Sequence, residues 1–307
     1  MLSQHLAYVA LVSSDPPLAA SVFVSHFGLP RQTFSSEKGP IQLFRIGRSA
    51  LAVFPCGHPL VEGETKTGVH HIALEVADPS ASAKRAMGDA FSPTLVPGLE
   101  GRKCVRLPRD STVGIRTVLT EPLNIPPHET GIVHKLDHLG IASTDVNEDE
   151  EVWCKKLGFA VESRQTDMEV SIAVESFTSD KYGVVYHTRP PVPVAGLRDL
   201  FVTVGDLELE FLANFNPRQK GDVDYGQSGT TRQDQGAIAR YVASRGRGLH
   251  HIAVKSNDIN ALLARMDAAG LPVIDKVGRP GGRRSLIGFV HPRATGGILM
   301  HVVQRPD

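Results

Sequence analysis

One short pattern recurs along the 307-residue chain: an apolar strand entered at or near a histidine, then an acidic turn, then an amphipathic helix. Its clearest copies start at Val69-His70-His71-Ile72-Ala73-Leu74, Leu136-Asp137-His138-Leu139-Gly140-Ile141-Ala142 and Leu249-His250-His251-Ile252-Ala253-Val254. A weaker copy stands at Leu6-Ala7-Tyr8-Val9-Ala10-Leu11. Each is followed by a turn that carries an aspartate: Asp15, Asp78, Asp145 and Asp258. The stretch from Ala261 to Ala269 is apolar at helical spacing and stops at Gly270. Beyond the helices, runs such as Leu200-Phe201-Val202-Thr203-Val204 and Leu207-Glu208-Leu209-Glu210-Phe211-Leu212 read as strands. The chain is thus a series of four βαβββ units, over about residues 1–60, 68–122, 135–217 and 247–307. One such unit cannot bury both faces of its sheet, so the units must pair. The expected fold class is α+β, with two domains of two units each.

The first domain is expected over residues 1–122 and the second over 135–307, with 123–134 as the linker. The prolines of Pro122-Leu123-Asn124-Ile125-Pro126-Pro127-His128-Glu129-Thr130 disfavour helix and interior strand there. From Arg218 to Gln235 the chain is almost free of apolar residues and reads as an exposed loop able to serve as a lid. The 33 basic residues balance 33 acidic ones, which argues against a protein built to grip nucleic acid or an anionic membrane. No apolar run approaches the ~20 residues that span a bilayer, and the first residues lack the basic stretch of a signal peptide. Cys56, Cys104 and Cys154 are scattered, which suits a reducing cytoplasm, and Cys154 reads as a packing residue on a helix.

His138 and His251 occupy equivalent positions in the first strands of units three and four. Two residues further on stand Gly140 and Ala253, on the same face because strand side chains alternate, and small enough to leave room above the sheet. The last strands of these units contribute Glu210 and His301. If the units pair about a pseudo-twofold axis, the four converge. Imidazole nitrogen with carboxylate oxygen suits Fe, Mn, Co, Ni or Zn as a divalent ion. The competing reading is structural, a satisfied histidine in an apolar strand or a glutamate on a half-exposed one. A buried Glu210 needs a partner, which favours the metal reading. Arg279-Pro280-Gly281-Gly282-Arg283-Arg284 could contact a phosphate or carboxylate, but a glycine pair between charged residues more often marks a turn, and Thr295-Gly296-Gly297 reads as a hairpin turn near the site mouth.

On these residues the chain resembles the vicinal oxygen chelate superfamily, which includes glyoxalase I, methylmalonyl-CoA epimerase, fosfomycin-resistance proteins and extradiol dioxygenases. Residues 135–307 look most like the epimerases. The likeness lies in Leu136–Ala142, the helix Ala237-Ile238-Ala239-Arg240-Tyr241-Val242, the run from Arg245 to Ala253, and His291–Leu299. Residues 1–122 match only as degenerate copies. The resemblance implies metal ligands at His138, Glu210, His251 and a final-strand position that is His301 here and a carboxylate in the family. Fewer anionic ligands favour a softer or more Lewis-acidic ion. The epimerase general base would fall just before Gly196, where this chain has Pro193-Val194-Ala195, and this argues against epimerisation of methylmalonyl-CoA itself.

Unit three is longer than in the epimerases, and the extra stretch carries Glu175, Tyr182, Tyr186, His187 and Arg189. Of these, Glu175, Tyr186 and His187 are candidates for a different acid–base pair. In the N-terminal units the positions equivalent to the ligands read as Tyr8, Ala52, His71 and Thr117, so this half is expected to be a non-catalytic scaffold. The four-unit plan also resembles that of the two-domain extradiol dioxygenases, and His138, His251 and Glu210 could present a two-histidine, one-carboxylate face. The expected function is a metal-dependent isomerase or lyase that binds two neighbouring oxygens of a small organic substrate and stabilises an enolate-like intermediate. An Fe(II) ring- or C–C-cleaving dioxygenase is the alternative, and a metal-free ligand-binding or resistance protein the second. The expected partner is a small-molecule substrate, with a homodimer left open and a cytoplasmic location.

Overall fold

The structure, a computed structural model, describes residues 2–3, 5–190, 192–215 and 236–306, and of residues 168–171 and 193–195 the backbone alone. The polar stretch 218–235, expected to be a loop, lies outside the described residues.

Each aspartate that follows a first strand caps a helix. Asp15, Asp78, Asp145 and Asp258 accept the backbone N–H of Leu18 (3.0 Å), Ala81 (2.9 Å), Asn147 (2.8 Å) and Ala261 (2.9 Å), satisfying donors that the helix itself leaves free. In the first unit β1 (Leu6–Ser13) leads through α1 (Pro16–Ser21) to β2 (Arg31–Phe34), β3 (Ile41–Ile46) and β4 (Ser49–Pro55). The second unit is β5 (Gly68–Glu75), α2 (Pro79–Met87), β6 (Leu95–Pro97), β7 (Lys103–Arg106) and β8 (Thr117–Thr120). The third opens with β9 (Val133–Ser143) and α3 (Val146–Glu150), then β10 (Ala160–Ser171). A hairpin, β11 (Val174–Ser179) and β12 (Gly183–Thr188), is inserted before β13 (Val192–Val204) and β14 (Leu207–Asn214). A connecting helix, α4 (Gly236–Arg245), precedes the fourth unit: β15 (Gly248–Ser256), α5 (Ile259–Ala268), β16 (Arg279–Pro280), β17 (Leu286–Val290) and β18 (Met300–Gln304).

The units pair as expected, into two eight-stranded sheets ordered β2-β3-β4-β1-β5-β8-β7-β6 and β10-β13-β14-β9-β15-β18-β17-β16. In each sheet the first strands of two units run antiparallel at the centre, and each lies parallel to the last strand of its own unit. One face of both sheets shares a continuous core, in which Leu11, Phe23 and Ile72 meet Leu139, Phe211 and Met300 around the buried Trp153. On the opposite face the halves differ. In the N-terminal sheet Tyr8, Leu43, Phe54 and Leu123 fill that face with side chains. In the C-terminal sheet, among the described residues, Ala142, Leu197, Leu212 and Ile238 cluster there, and a cavity of about 530 Å³ remains.

The stretch between β8 and β9 is no free tether: Leu123 is buried, and His128 pairs with Gly47. Thr295-Gly296-Gly297 is not a hairpin turn. It closes a single 3₁₀ turn, Pro292–Thr295, with Gly296 at φ +63°, and the Gly296 carbonyl accepts the Ser14 N–H at 2.9 Å, so the turn joins the two halves. Cys154 packs partly buried against the common core. Among the described residues no helix is long and apolar enough to cross a membrane.

Because Trp153 sits in a core common to both sheets, Trp153→Ala should cost about 3–5 kcal/mol. Denaturant unfolding followed by circular dichroism should show one transition shifted as a whole; loss of one half ahead of the other would contradict a shared core.

Candidate metal centre

The centre of the C-terminal sheet places four of the expected residues together. Cross-strand register sets Gly140 beside both His251 and Glu210, and Ala253 beside both His138 and His301. With strand side chains alternating, all four project into the cavity, which they line. A Cβ at residue 140 would overlap the His251 ring, so glycine is required there by contact. The ligand atoms of His138, His251 and His301 lie within 4.8 Å of one another, and all three residues are buried. Glu210 Oε2 stands 3.3 Å from His138 Nε2 and 3.9 Å from His251 Nε2.

Nitrogen atoms left without hydrogen bonds mark this cluster. His138 Nε2, His251 Nε2 and both nitrogens of His301 are buried with no hydrogen-bond partner. Glu210 is near but not aligned as an acceptor. Orphaned buried acceptors are costly, and neutral imidazoles converging with a carboxylate are a donor set that a divalent cation would satisfy. Burial, and then the neighbouring histidines, hold His251 and His301 well below the ordinary imidazole range, so both are neutral. For His138 burial works downward, but Glu210 and Asp137 together outweigh it and raise the pKa. Burial raises that of Glu210 against the pull of His138.

The ring orientations are fixed by residues that period-two reasoning did not pick out. Register slips at Asp137 and His250, so each is the extra residue of a β-bulge. Asp137 Oδ1 accepts from His138 Nδ1 at 2.8 Å, and its Oδ2 accepts from Arg305 Nε at 2.9 Å. Burial opposes ionisation of Asp137, yet the His138 hydrogen bond and Arg305 hold it well below the usual carboxylate range. His250 and His251 share a hydrogen bond between their Nδ1 atoms at 3.0 Å. Phe289 stacks on His301 with centroids 4.4 Å apart and planes 8° from parallel. Glu208, two residues before Glu210, is held instead by Arg305 (3.3 Å) and Arg283 (3.5 Å).

Asp199 was also missed. It lies on β13 facing the cavity, 3% exposed, with Oδ1 unpartnered and Oδ2 3.4 Å from Gln165 Nε2. Burial, then the charges of Glu210 and Asp167, push its carboxyl up to about 9. The other expected acid–base candidates are elsewhere. Glu175, Tyr186 and His187 lie on the β11–β12 hairpin and do not line the cavity. Tyr186 is 70% exposed, Glu175 pairs with Arg189, and the His187 ring packs edge-on to Phe177. Tyr182 is likewise exposed.

In the N-terminal sheet Ala10 stands beside His71 and Ala52, as expected. The last position is corrected by one residue: Ala73 pairs with Val118, not Thr117, just as Ala253 pairs with His301. Tyr8, Ala52, His71 and Val118 therefore replace the four, and the Tyr8 hydroxyl lies 3.4 Å from His71 Nε2.

Residues 137–289 match the family model described as the Glyoxalase/Bleomycin resistance protein/Dioxygenase superfamily, and the C-terminal half of the chain belongs to that superfamily. Among solved structures, a triple mutant of 4-hydroxymandelate synthase from Streptomyces coelicolor is similar over 99% of this chain and 93% of its own, at 15% identity and TM-score 0.64. That similarity extends the fold to both halves. Methylmalonyl-CoA epimerase from Mycobacterium tuberculosis covers 58% of this chain and 92% of its own, at 21% identity and TM-score 0.38. The uncharacterized protein YqjC of Bacillus subtilis (strain 168) is 27% identical over 93 residues, a match that spans 28% of this chain and 66%, just under two thirds, of that relative.

A carboxyl whose pKa rises on folding binds its proton more tightly in the native state, so stability falls as pH climbs from the ordinary 3.8 of Asp199 toward about 9. In metal-free protein Asp199→Asn should remove that loss, raising the melting temperature more at pH 8 than at pH 5. An equal shift at both pH values would show that Asp199 is ionised throughout.

Proposed function

We propose that the chain is a divalent-metal-dependent enzyme of the vicinal oxygen chelate type, acting on a small organic substrate as an isomerase or lyase. The observation that carries this reading is the set of buried, unpartnered imidazole nitrogens of His138, His251 and His301 beside Glu210. These four residues would hold the ion, which would supply Lewis acidity toward two neighbouring oxygens of the substrate. Everything else is supplied by the chain. Asp137 fixes the His138 ring through Nδ1, and Phe289 fixes that of His301. Asp199, buried at the wall of the same cavity, is the candidate general acid–base. Ile238 and Tyr241 of α4 form part of the cavity wall, and a cavity of this volume takes one small organic molecule. The N-terminal half, whose corresponding face is filled, serves as scaffold.

A dioxygenase is kept as a second reading because His138, His251 and Glu210 by themselves form a two-histidine, one-carboxylate face. Metal analysis of purified protein should find one divalent ion per chain, and His138→Ala or His301→Ala should abolish its retention. Asp137→Asn, which leaves the ligands in place, should weaken metal affinity ~10–100-fold in a chelator competition. Iron together with oxygen uptake on a catechol or hydroxyketone would select the dioxygenase; a chain that takes up no metal on reconstitution would overturn both.

A further inference from the structure

A second, smaller cavity of about 120 Å³ lies where the two halves meet, and its lining is almost wholly charged or polar. Among the described residues, Lys66, Arg109, Arg116 and Arg245 face it, against the one carboxylate of Glu64. Two of the arginines reach across the junction in opposite directions: Arg109 Nη2 donates to the Arg247 carbonyl (2.9 Å), and Arg245 Nη1 to the Thr67 carbonyl (2.9 Å). Arg116 is engaged with Glu64 at 3.1 Å. Among the described residues no carboxylate lies within ion-pair distance of Lys66, Arg109 or Arg245, so the cavity holds a surplus of positive charge.

At its inner end is His70, whose side chain is 2% exposed and whose Nε2 has no hydrogen-bond partner. Glu62 Oε2 is 4.0 Å from that nitrogen, too far to accept from it, and is drawn to Arg106 (Nε–Oε1 3.5 Å) and Arg116 (3.8 Å). The buried Tyr8 hydroxyl is 3.4 Å from His71 Nε2, and His71 Nδ1 is 2.7 Å from His70 Nδ1. When Tyr8 donates along this relay, His71 donates in turn from Nδ1 and the His70 proton sits on Nε2, facing the cavity; an anion there selects this direction over its reverse.

We propose that this junction cavity is an oxyanion site that takes a phosphoryl group, bound by Lys66, Arg109, Arg245 and the His70 Nε2–H. Guanidinium groups present paired donors that match phosphate oxygens, and a buried N–H with no acceptor completes the set. The volume fits one small anion and excludes a whole organic substrate. Tyr241 of α4 lines both this cavity and the larger one, so the phosphoryl group can be either a free anion or the tail of a molecule seated across α4.

The test is calorimetric titration of the full chain with inorganic phosphate at fixed ionic strength, repeated with phenyl phosphate. One phosphate per chain should bind, and a Lys66→Ala/Arg245→Ala double variant, altering exposed side chains outside the core, should bind at least tenfold more weakly. His70→Gln, which keeps a donor, should retain binding better than His70→Leu, with folding of each checked by circular dichroism. Inorganic phosphate binding more tightly than phenyl phosphate identifies a free-anion site, and the reverse order a tail site. No binding, or binding indifferent to the double variant, overturns the proposal. With the chain stripped of metal before titration, none of these readouts depends on the metal centre, so the two readings stand or fall separately.

Discussion

The seam between β9 and β15 is the contact on which the C-terminal half depends. Two small residues occupy it, and each stands beside two of the four candidate ligands: Gly140 beside His251 and Glu210, Ala253 beside His138 and His301. The rings can cluster only because these two positions project almost nothing above the sheet. At Gly140 even a methyl group would collide with His251. The seam also joins the two units, so the same hydrogen-bonded register that builds the sheet assembles the site, without any loop to position it.

The N-terminal sheet keeps that register with other side chains in the four places. Ala10 and Ala73 hold the small positions, but their partners are His71, Ala52, Tyr8 and Val118. Tyr8 and Val118 belong to the apolar cluster that fills the face left open in the other half. A single retained histidine cannot supply a chelate, and here it spends its two nitrogens on His70 and Tyr8. The face that in one half forms a cavity therefore serves in the other as a second hydrophobic core.

The repeat, the aspartate caps and the pairing of units were legible because each is a local pattern repeated along the chain. His138, Glu210, His251 and His301 were legible because side chains alternate in regular strands. Asp137, His250 and His70 were not, since each sits at a register slip that breaks the alternation and turns its side chain toward its histidine neighbour. Asp199 and Arg305 had no pattern at all: their significance comes from the residues that surround them after folding. The long third unit suggested extra catalytic groups, but its insertion forms a hairpin carrying Phe177, Tyr182 and Tyr186 in exposed positions, away from the cavity.

Electrical neutrality of the whole chain conceals a local separation of charge. Three of the arginines that line the large cavity are engaged with carboxylates: Arg279 with Asp275, Arg283 with Glu162 and Glu208, Arg305 with Asp137 and Glu208. Among the described residues none comes within ion-pair distance of Glu210, which leaves that carboxyl facing the imidazoles. At the junction of the halves the balance reverses, and cations outnumber the one carboxylate. Helix α4 stands between them, with Tyr241 on the wall of both. Fields in such recesses are less screened than on an open surface, so each concentrates ions of opposite sign to its lining. A cation at the histidines and an anion at the junction would each relieve a local imbalance that folding creates and that pairing within the chain leaves in place.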